Sequence, residues 1–256
     1  MRIVLMTFLT ILAFASCKPK LVWSDEFNYT GIPDSVKWNY DLGANNGWGN
    51  NEQQAYTRLS KNVRVEDGHL IIEAHLDSID GKAFSSSRIV SKHKGDWLYG
   101  RIEVSAKLPY GRGTWPAIWM LSTDWEYGGW PASGEIDIME HVGYNQDSVF
   151  GTIHTASYNH IKHTEKSGKV LVHDAAEEFH VYAINWTKDK IDFFVDDQLY
   201  YTAARSENDT FKEWPFDKRF HLIMNIAVGG NWGGKMGIDE SIWPQKMEID
   251  YVRVYQ

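Results

Sequence analysis

A chain of 256 residues is long enough to form one large domain that buries most of its apolar surface. A net charge of -8 at pH 7 and a pI near 5.7 argue against nucleic-acid and anionic-membrane surfaces, which need clustered Lys and Arg, so an uncharged partner is expected. Aromatics make up 14% of the chain and include 12 Trp, more than one core needs; roughly two thirds are assigned to packing and the rest to an exposed groove suited to stacking on sugar rings.

In chain order, Met1 and Arg2 precede an apolar run from Ile3 to Ala15 and then Ser16, the charged start and short hydrophobic region of an export signal. The run is too short to span a bilayer. Cys17, the single cysteine, follows directly, and Phe14-Ala15-Ser16-Cys17 resembles a lipobox. Residues 1–16 are therefore expected to be removed as a signal peptide and Cys17 to be lipidated. Residues 17–20 would then form a tether, and the protein would be an exported envelope lipoprotein that touches the membrane only through its lipid. An ordinary signal peptide cut nearby, with Cys17 left free, is the alternative. One cysteine permits no intrachain disulfide, so stability must come from packing or a bound metal.

From Leu21 onward there is no linker, repeat or low-complexity run, and residues 21–256 read as one domain, expected as a monomer. Short apolar or alternating segments separated by Gly, Asn and Asp predict an all-β fold with few helices. Strands are predicted at 70–76, 100–107, 115–121, 135–140, 149–154, 180–186, 191–195, 220–228 and 247–255, with turns at Gly68, at Asp196-Asp197 and at Gly229-Gly230. In the second of these, Ile102, Val104 and Ala106 share one face while Arg101, Glu103, Ser105 and Lys107 share the other, which predicts a half-buried strand. So many short strands in one domain fit a two-sheet β-sandwich of jelly-roll type, whose curvature would leave a concave cleft for a polymer.

The segment Gly134-Glu135-Ile136-Asp137-Ile138-Met139-Glu140-His141 places three acids inside a predicted strand, where acids are depleted. Glu135 and Asp137 share one face, and Ile136 and Ile138 point into the core. Glu140 falls on the wrong face unless a one-residue bulge near Ile138 and Met139 restores it. Three acids on one face repel each other and raise at least one pKa, as a proton donor at neutral pH requires. Glycoside hydrolysis with retention needs one ionised and one protonated carboxyl, and this strand supplies both. A solvated strand face or a calcium cluster is the alternative reading.

The same segment resembles the active-site strand of glycoside hydrolase family 16, laminarinase branch. The resemblance covers nearly all of residues 21–256 and runs in order through Trp23-Ser24-Asp25-Glu26-Phe27, Gly47-Trp48-Gly49-Asn50-Asn51-Glu52, Ser87-Arg88-Ile89 and Gly111-Arg112-Gly113-Thr114-Trp115-Pro116-Ala117-Ile118-Trp119-Met120. It ends with Asn225-Ile226-Ala227-Val228-Gly229-Gly230-Asn231-Trp232 and Asp250-Tyr251-Val252-Arg253-Val254-Tyr255. It implies Glu135 as nucleophile, Asp137 as its helper and Glu140 as acid/base. The six-residue form of the acid motif is similar to that of laminarinases, whereas lichenases and xyloglucan-active relatives carry a shorter one, so β-1,3-glucan is the implied substrate. The resemblance further places Trp115, Trp119 and Trp130 in sugar subsites, makes Asn50 and Arg88 glycan hydrogen-bonders, and faces His154 toward the acids. Core packing for Trp119, a salt bridge for Arg88 and a satisfied core position for His154 stay open beside those roles.

Relatives bind a structural calcium through positions that correspond to Glu26, the Gly68 carbonyl and Asp250, oxygen ligands of the kind calcium takes; plain surface acids are the other reading of Glu26 and Asp250. The histidines show neither a helical i, i+4 pair nor a cysteine partner, so no transition-metal site is expected and catalysis is expected to need no metal. Two other functions compete: a mixed-linkage β-1,3-1,4-glucanase and a non-catalytic lectin-like glycan-binding module. The module would have no use for two acids of divergent pKa on one strand, and a sulfated polymer is disfavoured because no dense basic cluster stands out.

Overall fold

The computed structural model describes residues 19–256; the expected signal peptide and Cys17 lie outside the described residues. In chain order the strands are β1 (Leu21–Asp25), β2 (Asn39–Tyr40), β3 (Gln54–Tyr56), β4 (Val63–Glu66), β5 (His69–Ile79), β6 (Lys82–Ser86), β7 (Arg88–Val90), β8 (Asp96–Trp97) and β9 (Gly100–Lys107). They continue with β10 (Thr114–Ser122), β11 (Glu135–His141), β12 (Ser148–His154), β13 (Lys166–Leu171), β14 (His180–Trp186), β15 (Lys190–Val195), β16 (Gln198–Ala204), β17 (Phe220–Val228) and β18 (Gln245–Tyr255). One short turn of 3-10 helix at Asn45–Gly47 is the only helix among the described residues.

These strands form two sheets. One has the order β16-β15-β14-β9-β18-β5-β6-β3, with β1 beside β18 and β4 beside β5; the other has the order β13-β12-β11-β10-β17-β7-β2, with β8 beside β17. Most neighbours are far apart in sequence, so the order departs from a simple meander. The sheets pack face to face around a single core, to which β11 contributes Ile136, Ile138 and Met139, β10 Ile118 and Met120, and β17 Met224 and Ile226. From the opposite sheet come Ile102 and Val104 of β9, Tyr182 and Ile184 of β14, and Ile249 and Val252 of β18. Full burial of each such aliphatic side chain stabilises the fold by roughly 1.5–3 kcal/mol, which is what holds the two sheets together without a disulfide.

All nine predicted strands form, and the predicted turns fall where expected, with Gly68 at φ +81° between β4 and β5 and Asp196 at φ +53° between β15 and β16. Strand β9 departs from its half-buried reading. Its polar face is also covered: Glu103 is 9% exposed and Ser105 4%, because β9 lies between β14 and β18, and Glu103 takes a 2.8 Å bond from Arg101. Two of the strands left unassigned by the sequence, β13 and β16, are edge elements whose residues are largely exposed, so they carry little apolar alternation.

The outer face of the β11 sheet carries a small second cluster. Val90, Leu121 and Ile223 are buried there beneath Trp119, Trp125 and Trp130. This face is the one to which the acids of β11 point.

Candidate active site

Strand β11 lies between β10 and β12, and its ladder skips once. On the β10 side Trp119 pairs with Asp137 and Ile118 with Met139, leaving Ile138 unpaired. On the β12 side Asp137 pairs with Thr152 and Glu140 with Phe150, four residues of β11 against three, again one extra residue. Ile138 and Met139 are both fully buried, so two consecutive side chains point into the core, and Glu140 returns to the face of Glu135 and Asp137. This is the one-residue bulge that the spacing of the acids demanded.

The three acids differ in their surroundings. Glu135 receives the Trp130 indole N–H at 2.9 Å, and Glu140 receives that of Trp115 at 3.1 Å. Asp137 is 2% exposed, and its Oδ2 has no hydrogen-bond partner among the described residues. His154 sits directly across the ladder from Glu135; its Nε2 lies 3.4 Å from Asp137 Oδ2 and 3.7 Å from Glu135 Oε1. Burial is the main reason that all three carboxyls are pushed up to about 8. The charge of Asp137 raises Glu135 and Glu140 further, while His154 and the indole donors oppose the rise on both glutamates. Hydrogen bonding with Glu135 opposes it on Asp137. Such a set titrates as one unit: near neutral pH part of it is ionised and part protonated, the division of labour that two-carboxylate chemistry needs.

Around the acids lie the other residues singled out from the sequence. Trp115 and Trp130 carry the two indole donors just described, and Trp119 donates to Asn225 Oδ1 at 2.7 Å. Arg88 is held between two aromatic faces, its guanidinium carbon 4.7 Å from the Trp48 ring and 4.7 Å from the Trp119 ring. It also forms a 2.9 Å ion pair with Asp41, whose geometry is not that of an aligned hydrogen bond. Asn50 follows a loop in which Asn45, Asn46, Gly47 and Trp48 are all at positive φ, and its side-chain amide lies 3.5 Å from Glu52 Oε1.

Sequence reading missed a buried chain behind this wall. Glu52 Oε2 accepts from Gln54 Nε2 at 2.6 Å and from the Tyr56 hydroxyl at 3.2 Å; Asn225 Nδ2 in turn donates to Tyr56 Oη at 3.0 Å, which links Glu52 to Trp119. Burial, above all, raises the carboxyl of Glu52, although Gln54 and Arg88 oppose it. Trp232 was also missed: it packs edge-on against Trp115 at 5.6 Å and Phe150 at 5.3 Å, beside the ladder position of Glu140. The acidic residue in Gly47-Trp48-Gly49-Asn50-Asn51-Glu52 and the Trp of Gly229-Gly230-Asn231-Trp232 were the available signals.

The residues expected to hold calcium fit it only in part. Both carboxylate oxygens of Glu26 are taken by Arg253, at 3.0 and 2.7 Å. Gly68 stands in the β4–β5 turn, and Asp250 sits at the register break after Ile249, which pairs with Leu70. A different donor set does converge. One ligand atom each from Glu135, Asp137 and His154 lie within 4.8 Å of one another. Strand pairing supplies here a grouping that the linear spacing of the histidines does not show.

Comparison with known proteins agrees with this geometry. The family model described as glycosyl hydrolases family 16 matches residues 50–253. The chain is 53% identical to a beta-glucanase of Rhodothermus marinus over 93% of its length and 85% of the relative's. The X-ray structure of the laminarinase from Rhodothermus marinus superposes with a TM-score of 0.91 at 53% identity, covering 93% of this chain and 97% of that one. The crystal structure of SCLam, a non-specific endo-beta-1,3(4)-glucanase, superposes with a TM-score of 0.88 at 46% identity, covering 93% and 91%.

Proposed function

Since the chain belongs to the glycosyl hydrolases of family 16, we propose that it is an endo-β-1,3-glucanase of laminarinase type that cleaves its polymer by double displacement. The observation that carries this reading is the bulge at Ile138, which gathers Glu135, Asp137 and Glu140 on one face of β11 beneath a wall of Trp side chains.

In the first step the Glu135 carboxylate attacks the anomeric carbon while Glu140 gives its proton to the departing glycosidic oxygen, leaving a covalent glycosyl-enzyme. In the second, Glu140, now ionised, takes a proton from water, whose oxygen attacks the same carbon and frees Glu135. Two inversions preserve the β configuration. An indole N–H and His154 favour the ionised form of each glutamate alike, so the division of roles between Glu135 and Glu140 follows the family resemblance, and buried Asp137 is suited to keep a proton and share it with its neighbour. Trp115, Trp119 and Trp130 offer apolar faces to the sugars, and Asn50, Arg88 and His154 offer polar contacts.

Hydrolysis followed by NMR tests the stereochemistry: β-anomeric product is expected first, and an α-anomer appearing first would remove Glu135 as nucleophile. Reducing-sugar release should be greatest on laminarin, smaller on lichenan and absent on agarose. Equal rates on laminarin and lichenan would favour a non-specific β-1,3(4)-glucanase, the activity named for the similar SCLam structure. We also propose export and lipid attachment at Cys17, supported by the amino-terminal sequence alone. Cys17→Ser should move the protein from membranes to the soluble fraction, and unchanged membrane association would rule the anchor out.

A further inference from the structure

Glu135, Asp137 and His154 form a donor set that double displacement does not explain completely. A glycosidase needs carboxyls here, yet the structure adds an imidazole whose Nε2 points between two carboxylate oxygens, 3.4 Å from one and 3.7 Å from the other. Zinc binds imidazole nitrogen and carboxylate oxygen at about 2.0–2.2 Å, so two donors on one tetrahedral ion stand about 3.4 Å apart. The two measured separations match that edge to within a few tenths of an ångström. The third lies inside the 4.8 Å span of the group. Asp137 Oδ2, the atom nearest the imidazole, is buried and has no hydrogen-bond partner among the described residues, so it faces the centre of the set with its acceptor capacity unused.

From this geometry we propose that Glu135, Asp137 and His154 bind a divalent transition metal of the zinc class, which inhibits the enzyme reversibly by occupying its carboxylates. The mix of one imidazole and two carboxylates selects zinc over calcium or magnesium, which take oxygen-only shells. Rigidity favours the site as well, because Glu135 and His154 are direct cross-strand partners and Asp137 stands two residues along the same strand. The buried His154 Nδ1 has no hydrogen-bond acceptor among the described residues. Resident metals have their histidines oriented by such a partner, and its absence weakens binding by about 10–100-fold, so this ion exchanges rather than remaining as a cofactor.

Binding is independent of the catalytic reading, whereas inhibition rests on it, and the experiment separates the two. The full protein, freed of metal, is titrated with Zn2+ by calorimetry and with Co2+ by visible absorption, neither of which requires turnover. One ion per chain is expected, and His154→Ala and Asp137→Ala should each weaken binding at least about tenfold. His154→Gln serves as a second variant, with thermal melts to establish folding. His180→Ala removes a histidine outside the site, one that bridges Asp174 at 3.1 Å and Asp196 at 2.9 Å, and should leave binding unchanged. In laminarin hydrolysis Zn2+ should raise the apparent KM while kcat holds. Binding that survives folded His154 variants, or that is lost in His180→Ala, would overturn the site. Binding that depends on His154 but leaves KM untouched would keep the metal site and remove its inhibitory role, and with it the placement of substrate over these acids.

Discussion

Two indole N–H groups decide how the glutamates differ from ordinary surface acids. Trp130 and Trp115 each aim one donor at one carboxylate, so the rings that wall the site also orient its chemistry. If Glu140 is the proton donor, Glu140→Ala should lose at least about 10²-fold in laminarin hydrolysis yet keep turning over an aryl glycoside whose leaving group needs little protonation. Added azide should restore turnover of that substrate and give the β-glycosyl azide. Failure of azide to do so, in a folded variant, would argue against a glycosyl-enzyme on Glu135. The raised carboxyls also carry a stability consequence. The native state holds the Glu135 proton from its ordinary 4.5 up to about 8, while the unfolded chain releases it earlier. Native stability therefore declines as pH climbs through that window. Glu135→Gln removes this penalty, so its melting temperature should exceed that of the wild type increasingly from pH 5 to pH 9, with a gain of about 0.5–2 kcal/mol. Parallel melting curves for the two proteins across that range would contradict the burial argument.

Strand β11 carries the most informative irregularity in the molecule. Three of its residues span two positions of β10 and four span three of β12, one extra residue in each case, so the bulge is confined to β11 and leaves β10 and β12 regular across it. Deleting Met139 should therefore produce a plain five-residue acid motif whose pairings with Ala117 and Phe150 are kept. The three acids would stay on one face. Loss of a fully buried methionine should cost about 2–5 kcal/mol, measured by denaturant titration, while hydrolysis falls but persists. Inserting an alanine after Met139 is the opposite control: it turns Glu140 toward the core and should abolish activity. Equal activity in the two variants would mean that the register does not place Glu140.

At the scale of the whole molecule, the sandwich is closed by one apolar core, and its far side ties the first strand to the last. Arg253 of β18 grips Glu26, just past β1, with two hydrogen bonds, and in doing so holds the Glu26 pKa down. Calcium binding through Glu26, Gly68 and Asp250 therefore has to compete with a guanidinium for the same carboxylate. Adding calcium should raise the wild-type melting temperature only slightly, and Arg253→Ala should enlarge the calcium-dependent rise while lowering the metal-free value. Melting curves insensitive to calcium in both proteins would remove the cation from the fold.

The nine predicted strands and the need for a bulge between Asp137 and Glu140 were legible in the sequence, because each follows from side-chain period and residue type along a few consecutive positions. Arg88 between Trp48 and Trp119 and the bond from Asn225 to Tyr56 across 169 positions were not, and His154 facing the acids came only through the family resemblance. Nor was the covered polar face of β9, which depends on having β14 and β18 on either side. Such contacts are set by which strands become neighbours and in what register. That choice is made by the total burial of two sheets rather than by any local run, so only the tertiary structure could decide it.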